Sequence, residues 1–155
     1  CDIGCGTGLV ANELKYINSN LIIDGFDISP DMIDVARHKN IYRDLYEIDL
    51  TKPIRNVPNN YSGIISAGAF THGHLGPEII KELLSSCVEG AILTIGINAI
   101  HYKEKGFEKF FHNLEIINKI KMKKISNSSI YSNNQTADNK KNNMAIITVF
   151  EKIKS

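Results

Sequence analysis

The sequence carries almost no net charge, few cysteines and no long uninterrupted apolar run, and each scarcity removes a class of function. Its 18 lysines and arginines face 17 aspartates and glutamates over 155 residues, for a formal charge of +1. That balance gives no large field for gripping nucleic acid or an anionic membrane surface, so neither is an expected partner. The three cysteines, Cys1, Cys5 and Cys87, have neither metal-site spacing nor the even count of a disulfide framework. They read as reduced thiols of an intracellular, cytoplasmic protein. No segment approaches the roughly 20 apolar residues that span a bilayer. What is present is ordinary for a globular domain, with 43% hydrophobic and 23% charged residues. The length suits one domain over residues 1–155 with a well-filled core.

The densest chemical signal is the opening stretch from Cys1 to Leu9, CDIGCGTGL. A short apolar run containing Asp2 meets the turn Gly4-Cys5-Gly6-Thr7-Gly8, and a helical pattern begins at Leu9. Strand, glycine turn and helix in that order make a corner for phosphate or nucleoside. The glycines let the backbone approach a ligand, and the helix start offers unpaired N–H groups. The dinucleotide fingerprint is G-x-G-x-x-G, whereas here the pattern is G-x-G-x-G, which misplaces the third glycine for a nicotinamide site. Only Cys1, Asp2 and Ile3 precede the turn where a buried strand usually has about five residues, and no initiator Met is present. The chain therefore reads as lacking an N-terminal segment. Asp27 closes an apolar strand over residues 21–26, about 20 residues beyond the turn, where a carboxylate can accept the hydroxyls of a ribose.

Asp2-Ile3-Gly4-Cys5-Gly6-Thr7-Gly8-Leu9 resembles the first motif of the class I S-adenosylmethionine-dependent methyltransferases. Gly25-Phe26-Asp27-Ile28-Ser29 and the following Ser29-Pro30-Asp31-Met32 resemble the same family's second strand and helix start. Thr71-His72-Gly73-His74 is similar to a loop of a narrower group, the methyltransferase-like proteins related to the Williams–Beuren region methyltransferase. The resemblance implies a doubly wound α/β fold: a mostly parallel, seven-stranded Rossmann-like sheet in the order 3-2-1-4-5-7-6 with its last strand antiparallel.

It also implies S-adenosyl-L-methionine as cofactor and assigns roles to particular residues. Gly4, Cys5, Gly6 and Gly8 would give backbone access to the cofactor, and Asp2 would order the turn and the methionine amino end. Asp27 would hold the ribose, with Ile28 and Met32 beside the adenine. Asp49, next to Leu50, would contact the adenine amino group, although an exposed loop aspartate capping the next turn is an equally natural role for it. The backbone of Ser66 and Ala67 would face the methionine part. His72 and His74 would line the acceptor side, as a general base or as loop histidines shaping the pocket. With no third ligand cluster in view they suggest no metal.

The remaining pattern completes the layout. Val10, Leu14 and Ile17 set a helix over residues 8–18, and Met32, Val35 and Ala36 the buried face of a second helix opened by Pro30. Further strands are expected over residues 41–48, 61–66, 91–97, 119–123 and 144–150. Residues 51–60 are turn-rich and short for a crossover helix, and 67–75 read as a loop leaving a central strand. A helix carrying Ile79, Ile80, Leu83, Leu84 and Cys87 is expected to end at Gly90. Residues 98–102 read as a strand end able to touch substrate, and Phe107, Phe110, Phe111, Leu114 and Ile117 as a core-facing helical stripe. The lysines of 119–123 suit an edge strand, and residues 127–143 read as a long polar loop. Methyl transfer to a small-molecule acceptor is the activity implied, with a protein acceptor as the other possibility. A non-catalytic module that keeps the nucleoside pocket is the alternative reading.

Overall fold

The computed structural model describes residues 1–55, 57–71, 74–129 and 144–153. His72 and most of the expected long polar loop therefore lie outside the described residues. The chain runs β1 (Asp2–Ile3), α1 (Leu9–Ile17), β2 (Gly25–Asp27), α2 (Pro30–Arg37), β3 (Leu45–Glu47), β4 (Tyr61–Phe70) and α3 (Ile79–Ser85). It continues through β5 (Cys87–Asn98), α4 (Ala99–Glu104), α5 (Phe107–Ile116), β6 (Ile120–Ser129) and β7 (Met144–Lys152). The strands form one 7-stranded sheet in the order β3-β2-β1-β4-β5-β7-β6, as the family resemblance implies. β7 inserts antiparallel between β5 and β6, and the lysine-bearing β6 is the edge.

Right-handed crossovers place α1 and α2 on one face of the sheet, and α3 and α5 on the other, because the chain winds outward from β1 in one direction and from β4 in the other. The core is the central strands' Ile3, Phe26, Ile64, Leu93, Ile95 and Phe150, covered by Ile80, Leu83, Phe107 and Phe111. Phe107, Phe111 and Leu114 are buried, with Phe107 and Phe111 packed against each other and on Tyr102 and Phe150, so that part of the stripe is core, whereas Ile117 caps the end of α5 and is 59% exposed.

Several expected boundaries change. α3 stops at Ser85, and Cys87 opens β5 instead of closing the helix. Gly90 lies inside that strand at φ +80°, where the register jumps from Tyr61↔Cys87 to Gly63↔Ile92. The glycine thus serves a bulge, a role a lone glycine shares with helix ends. β6 runs on to Ser129 because Ser126 to Ser129 pair with Met144 to Ile147, and a polar edge strand has no apolar alternation to show. On α2, Ile33 and Ala36 face the sheet, whereas Met32 is 45% and Val35 48% exposed. On α1 Ala11 is the buried residue and Ile17 turns to solvent.

The most consequential difference is at the end of β4. The strand does not stop at residue 66 but reaches Phe70, with Ser66 paired to Ile95 and Phe70 to Ile97. Ala67, Gly68 and Ala69 therefore stand opposite Gly96 alone, in a bulge. A side chain at Gly96 would come within 3.3 Å of the Ala67 carbonyl. The bulge also presses Ala69 onto the glycine turn, so that a Cβ at Gly4 would sit 2.7 Å from the Ala69 Cβ. Gly4 has φ +66° as well. Gly4→Ala should therefore lower stability by about 1–3 kcal/mol, read as a drop in the thermal midpoint.

Candidate functional site

The site is built at the C-terminal ends of β1, β2 and β4, the crevice where open α/β sheets hold ligands. The Phe26 carbonyl accepts from the N–H groups of both Gly4 and Cys5, at 2.8 and 3.0 Å, which pins the start of the turn to β2. Gly4, Gly6 and Gly8 all have positive φ, and Gly8 caps α1 with no side chain, leaving the first-turn N–H groups of that helix facing the turn. Around Gly6 nothing lies within 4 Å of where a Cβ would stand. The turn is tight on its sheet side and open on the other.

Asp27, at the end of β2, holds the turn from the side. One carboxylate oxygen accepts from the Gly6 N–H at 2.8 Å and the other from the Ser29 N–H at 2.9 Å. A carboxylate offers about four acceptor positions, so two remain for ligand hydroxyls. Beside it Ile28 is 63% exposed, and Met32 stands on the outward side of α2.

Asp2 is in a different state. It is 1% exposed, and its Oδ2 accepts from the Tyr42 hydroxyl at 2.8 Å. Its Oδ1 is the one buried side-chain oxygen or nitrogen without a partner among the described residues. Burial pushes the Asp2 pKa up, against the Tyr42 hydrogen bond that pulls it down. Tyr42 itself is pushed up by burial and by the Asp2 charge. A buried oxygen left unmatched in this way costs the fold energy unless something supplies a donor. Tyr42 also underlies the turn, with its ring about where side chains at Gly8 and Gly25 would go.

The other expected residues fall into place with varied roles. Cys5 is buried in the turn, and burial first, then the nearby Asp2 and Asp27 charges, lifts its thiol to about 12, so it is an inert packing group. The Ser66 hydroxyl donates to the Ile3 carbonyl at 2.9 Å, tying β4 to β1, and Ala67 is exposed on the bulge. Asp49 caps its own loop: it accepts from the Thr51 N–H and hydroxyl and pairs with Lys52 at 2.8 Å. Those contacts, Lys52 foremost, hold its carboxyl at about 2. Leu50 is buried in the core. His74 is exposed, its N–H bonded to the Thr71 carbonyl at 3.0 Å, and lines a cavity of about 260 Å³ with Leu50, Thr51 and Glu78.

Residues 98–102 lie where β5 ends, as expected, and turn at once into α4, with Ala99, Ile100 and Tyr102 half-buried. Asn98 caps α4 through the N–H groups of Ile100 and His101, and His101 is buried. Its Nε2 lies 2.9 Å from the Leu75 carbonyl, which can only accept, so that nitrogen carries a proton. His101 thereby fastens α4 to the segment that carries His74. Tyr42 is not singled out by the sequence, and His101 enters only within the 98–102 stretch, since their partners lie 40 and 26 positions away.

A model of the methyltransferase domain matches residues 1–90, more than half of the chain. The chain belongs to the methyltransferase domain family. Its sheet order and reversed last strand are those of the class I S-adenosylmethionine-dependent methyltransferases. Human methyltransferase-like protein 27 is 32% identical over 107 residues, which cover 66% of this chain and 43% of that protein. The chain thus spans less than half the length of this curated relative. Among solved structures, the plantazolicin methyltransferase BpumL in complex with SAH aligns with a TM-score of 0.71 at 15% identity, covering 99% of this chain and 75% of that one. A SAM-dependent methyltransferase from Methanosarcina mazei aligns at 0.66 and 13% identity over 99% and 92% of the two chains. At such identities the likeness shows the shared methyltransferase fold.

Proposed function

We propose that the chain binds S-adenosylmethionine across the ends of β1 and β2 and transfers its methyl group to a small-molecule acceptor. The observation that carries this reading is the unmatched Oδ1 of Asp2. An ammonium group, such as the cofactor's amino end, would supply the donor that this buried carboxylate lacks. Gly6 leaves the turn open to a ligand, and Asp27 keeps acceptor capacity for ribose hydroxyls beside the exposed Ile28 and Met32. The rim of Asp49 and Leu50 completes the adenine side, with Asp49 free to keep its loop bonds while accepting one more. Ser66 and Ala67 offer backbone at the β4 bulge, and His74 stands on the acceptor side.

When bound, the cofactor supplies a sulfonium methyl group already activated for in-line displacement. The chain's part is then mainly positional: to hold the adenosyl end rigidly so that an acceptor meets the methyl group at the right distance and angle. No acid or base on the chain is required by that chemistry. A charge balance near zero supports a small acceptor over a nucleic acid.

Asp27→Ala should weaken S-adenosylmethionine binding about 10- to 100-fold, from the loss of charged hydrogen bonds worth about 1.5–3 kcal/mol. Unchanged affinity in a titration would remove Asp27 from the site. For the activity itself, the full-length protein is incubated with methyl-labelled S-adenosylmethionine and the small-molecule fraction of a cell extract. Label in that fraction, with formation of S-adenosylhomocysteine, is the expected result. Label confined to proteins would overturn the acceptor class, and binding without turnover would favour a non-catalytic module.

A further inference from the structure

Between α3 and α5, at the end of the sheet away from the glycine turn, lies a second cavity of about 260 Å³. Its walls are Leu84, Leu114 and Ile117, and three lysines, Lys81, Lys119 and Lys152, surround it. Lys152 is only 4% exposed. Its Nζ donates to the Cys87 carbonyl at 2.7 Å, and among the described residues no carboxylate stands within ion-pair distance of it. A buried ammonium with one carbonyl for company is rare, because desolvating the charge is costly unless it is paired.

None of the nearby acids forms an ion pair with these lysines among the described residues. Glu115 accepts from the Met122 N–H at 2.9 Å, Glu151 pairs with Lys123, and Glu78 and Glu82 line the other cavity beside Thr51 and Lys52. Lys81 and Lys119 likewise have no carboxylate partner among the described residues, and the Lys81 ammonium rests 5.7 Å from the Phe110 ring centroid. In a chain of net charge +1, three lysines without a carboxylate partner among the described residues are thus gathered around one apolar hollow.

We propose that this cavity binds a small amphipathic carboxylate, its head group among Lys152, Lys119 and Lys81 and its alkyl tail against Leu84, Leu114 and Ile117. The negative head supplies the counter-charge that Lys152 lacks among the described residues. The tail fills a hollow whose few polar atoms hold water poorly, and the lysine stems extend the apolar wall. A small hydrophilic anion would satisfy the charges but leave the hollow unfilled, and a neutral alkane would do the reverse. Both halves of the ligand are therefore needed. The site is separate from the one at the glycine turn, and its occupancy does not depend on how that turn is read.

The test is calorimetric titration of the full-length protein with octanoate, 1-octanol and inorganic phosphate in turn. Octanoate should saturate one site, with 1-octanol and phosphate each weaker by at least about tenfold. Lys152→Met keeps the apolar stem and removes the charge. It should weaken octanoate about thirtyfold while S-adenosylhomocysteine affinity stays unchanged, which also shows that the variant is folded. If that variant does not fold, Lys81→Gln with Lys119→Gln, at the cavity mouth, should weaken octanoate by about fivefold. Octanoate that fails to saturate, that binds no better than 1-octanol, or that is indifferent to these substitutions would overturn the proposal.

Discussion

Asp2→Asn should weaken S-adenosylmethionine binding by about a hundredfold while leaving the unliganded protein no less stable than before. The two effects separate because the same carboxylate is a burden without ligand and an anchor with it. Asp2 is buried, satisfied on Oδ2 by Tyr42 and unsatisfied on Oδ1. Asparagine keeps the acceptor for Tyr42 but removes the buried charge, which relieves desolvation and leaves a ligand ammonium facing a neutral amide. Binding sites commonly trade stability for function in this way. The pH dependence follows from the raised pKa of Asp2. A carboxyl whose folded-state pKa lies above its unfolded value favours folding when protonated, and that contribution is lost as pH rises through the folded value. An ammonium ligand prefers the ionised form, so cofactor affinity should fall as the medium is acidified through that pKa. In the Asp2→Asn protein this part of the pH dependence should vanish. Affinity reduced less than about threefold, or an unaltered pH profile, would show that Asp2 does not face the ligand.

Asp24→Ala should destabilise the fold by about 3 kcal/mol. Asp24 is buried at the start of β2 and accepts from the Arg43 Nε at 2.9 Å, from a second Arg43 nitrogen and from the Tyr61 hydroxyl at 2.8 Å. These bonds join β2, the approach to β3 and the start of β4. Removing the carboxylate strands the Tyr61 hydroxyl in the interior and leaves the half-exposed Arg43 guanidinium without its acceptor there. Burial raises the pKa of Asp24, but the Arg43 and Tyr61 hydrogen bonds outweigh it and the net shift is downward. Such a group stabilises the fold above the usual carboxylate range near pH 4, and the contribution disappears as pH falls through the lowered folded value. Wild-type stability should therefore decline in acid with a component that Asp24→Ala lacks. Chemical denaturation at neutral and acid pH measures both, and a variant within about 0.5 kcal/mol of wild type would contradict the assigned role.

How much of this was readable from the chain depends on the distance between partners. The glycine turn and Asp27 are local patterns whose spacing alone builds a nucleoside corner, and the structure joins them through the Gly6 N–H. The reversed insertion of β7 is likewise visible as a last apolar run, once the family resemblance supplies the order. What stayed hidden was set by tertiary contact. Tyr42 sits in a weakly patterned stretch, and nothing near it in sequence announces that its hydroxyl holds Asp2. The β4 bulge replaced an expected loop because Ala67, Gly68 and Ala69 look like turn residues, whereas Gly96 and Gly4 make room for them as a strand. Met32 and Val35 follow helical spacing, yet the roll of α2 on the sheet gives the buried positions to Ile33 and Ala36. Asp49 shows the converse. The choice between a loop cap and a ligand contact was open in the sequence, and the structure displays the cap, formed by Thr51 and Lys52.

The central claim is that the turn from Gly4 to Gly8 is an S-adenosylmethionine site. Its most direct test is calorimetric titration of the full-length protein with S-adenosylmethionine, S-adenosylhomocysteine and NADH. Micromolar binding of both adenosyl ligands, with no heat from NADH, is the expected result. Binding of NADH in their place, or no binding by a demonstrably folded protein, would contradict it.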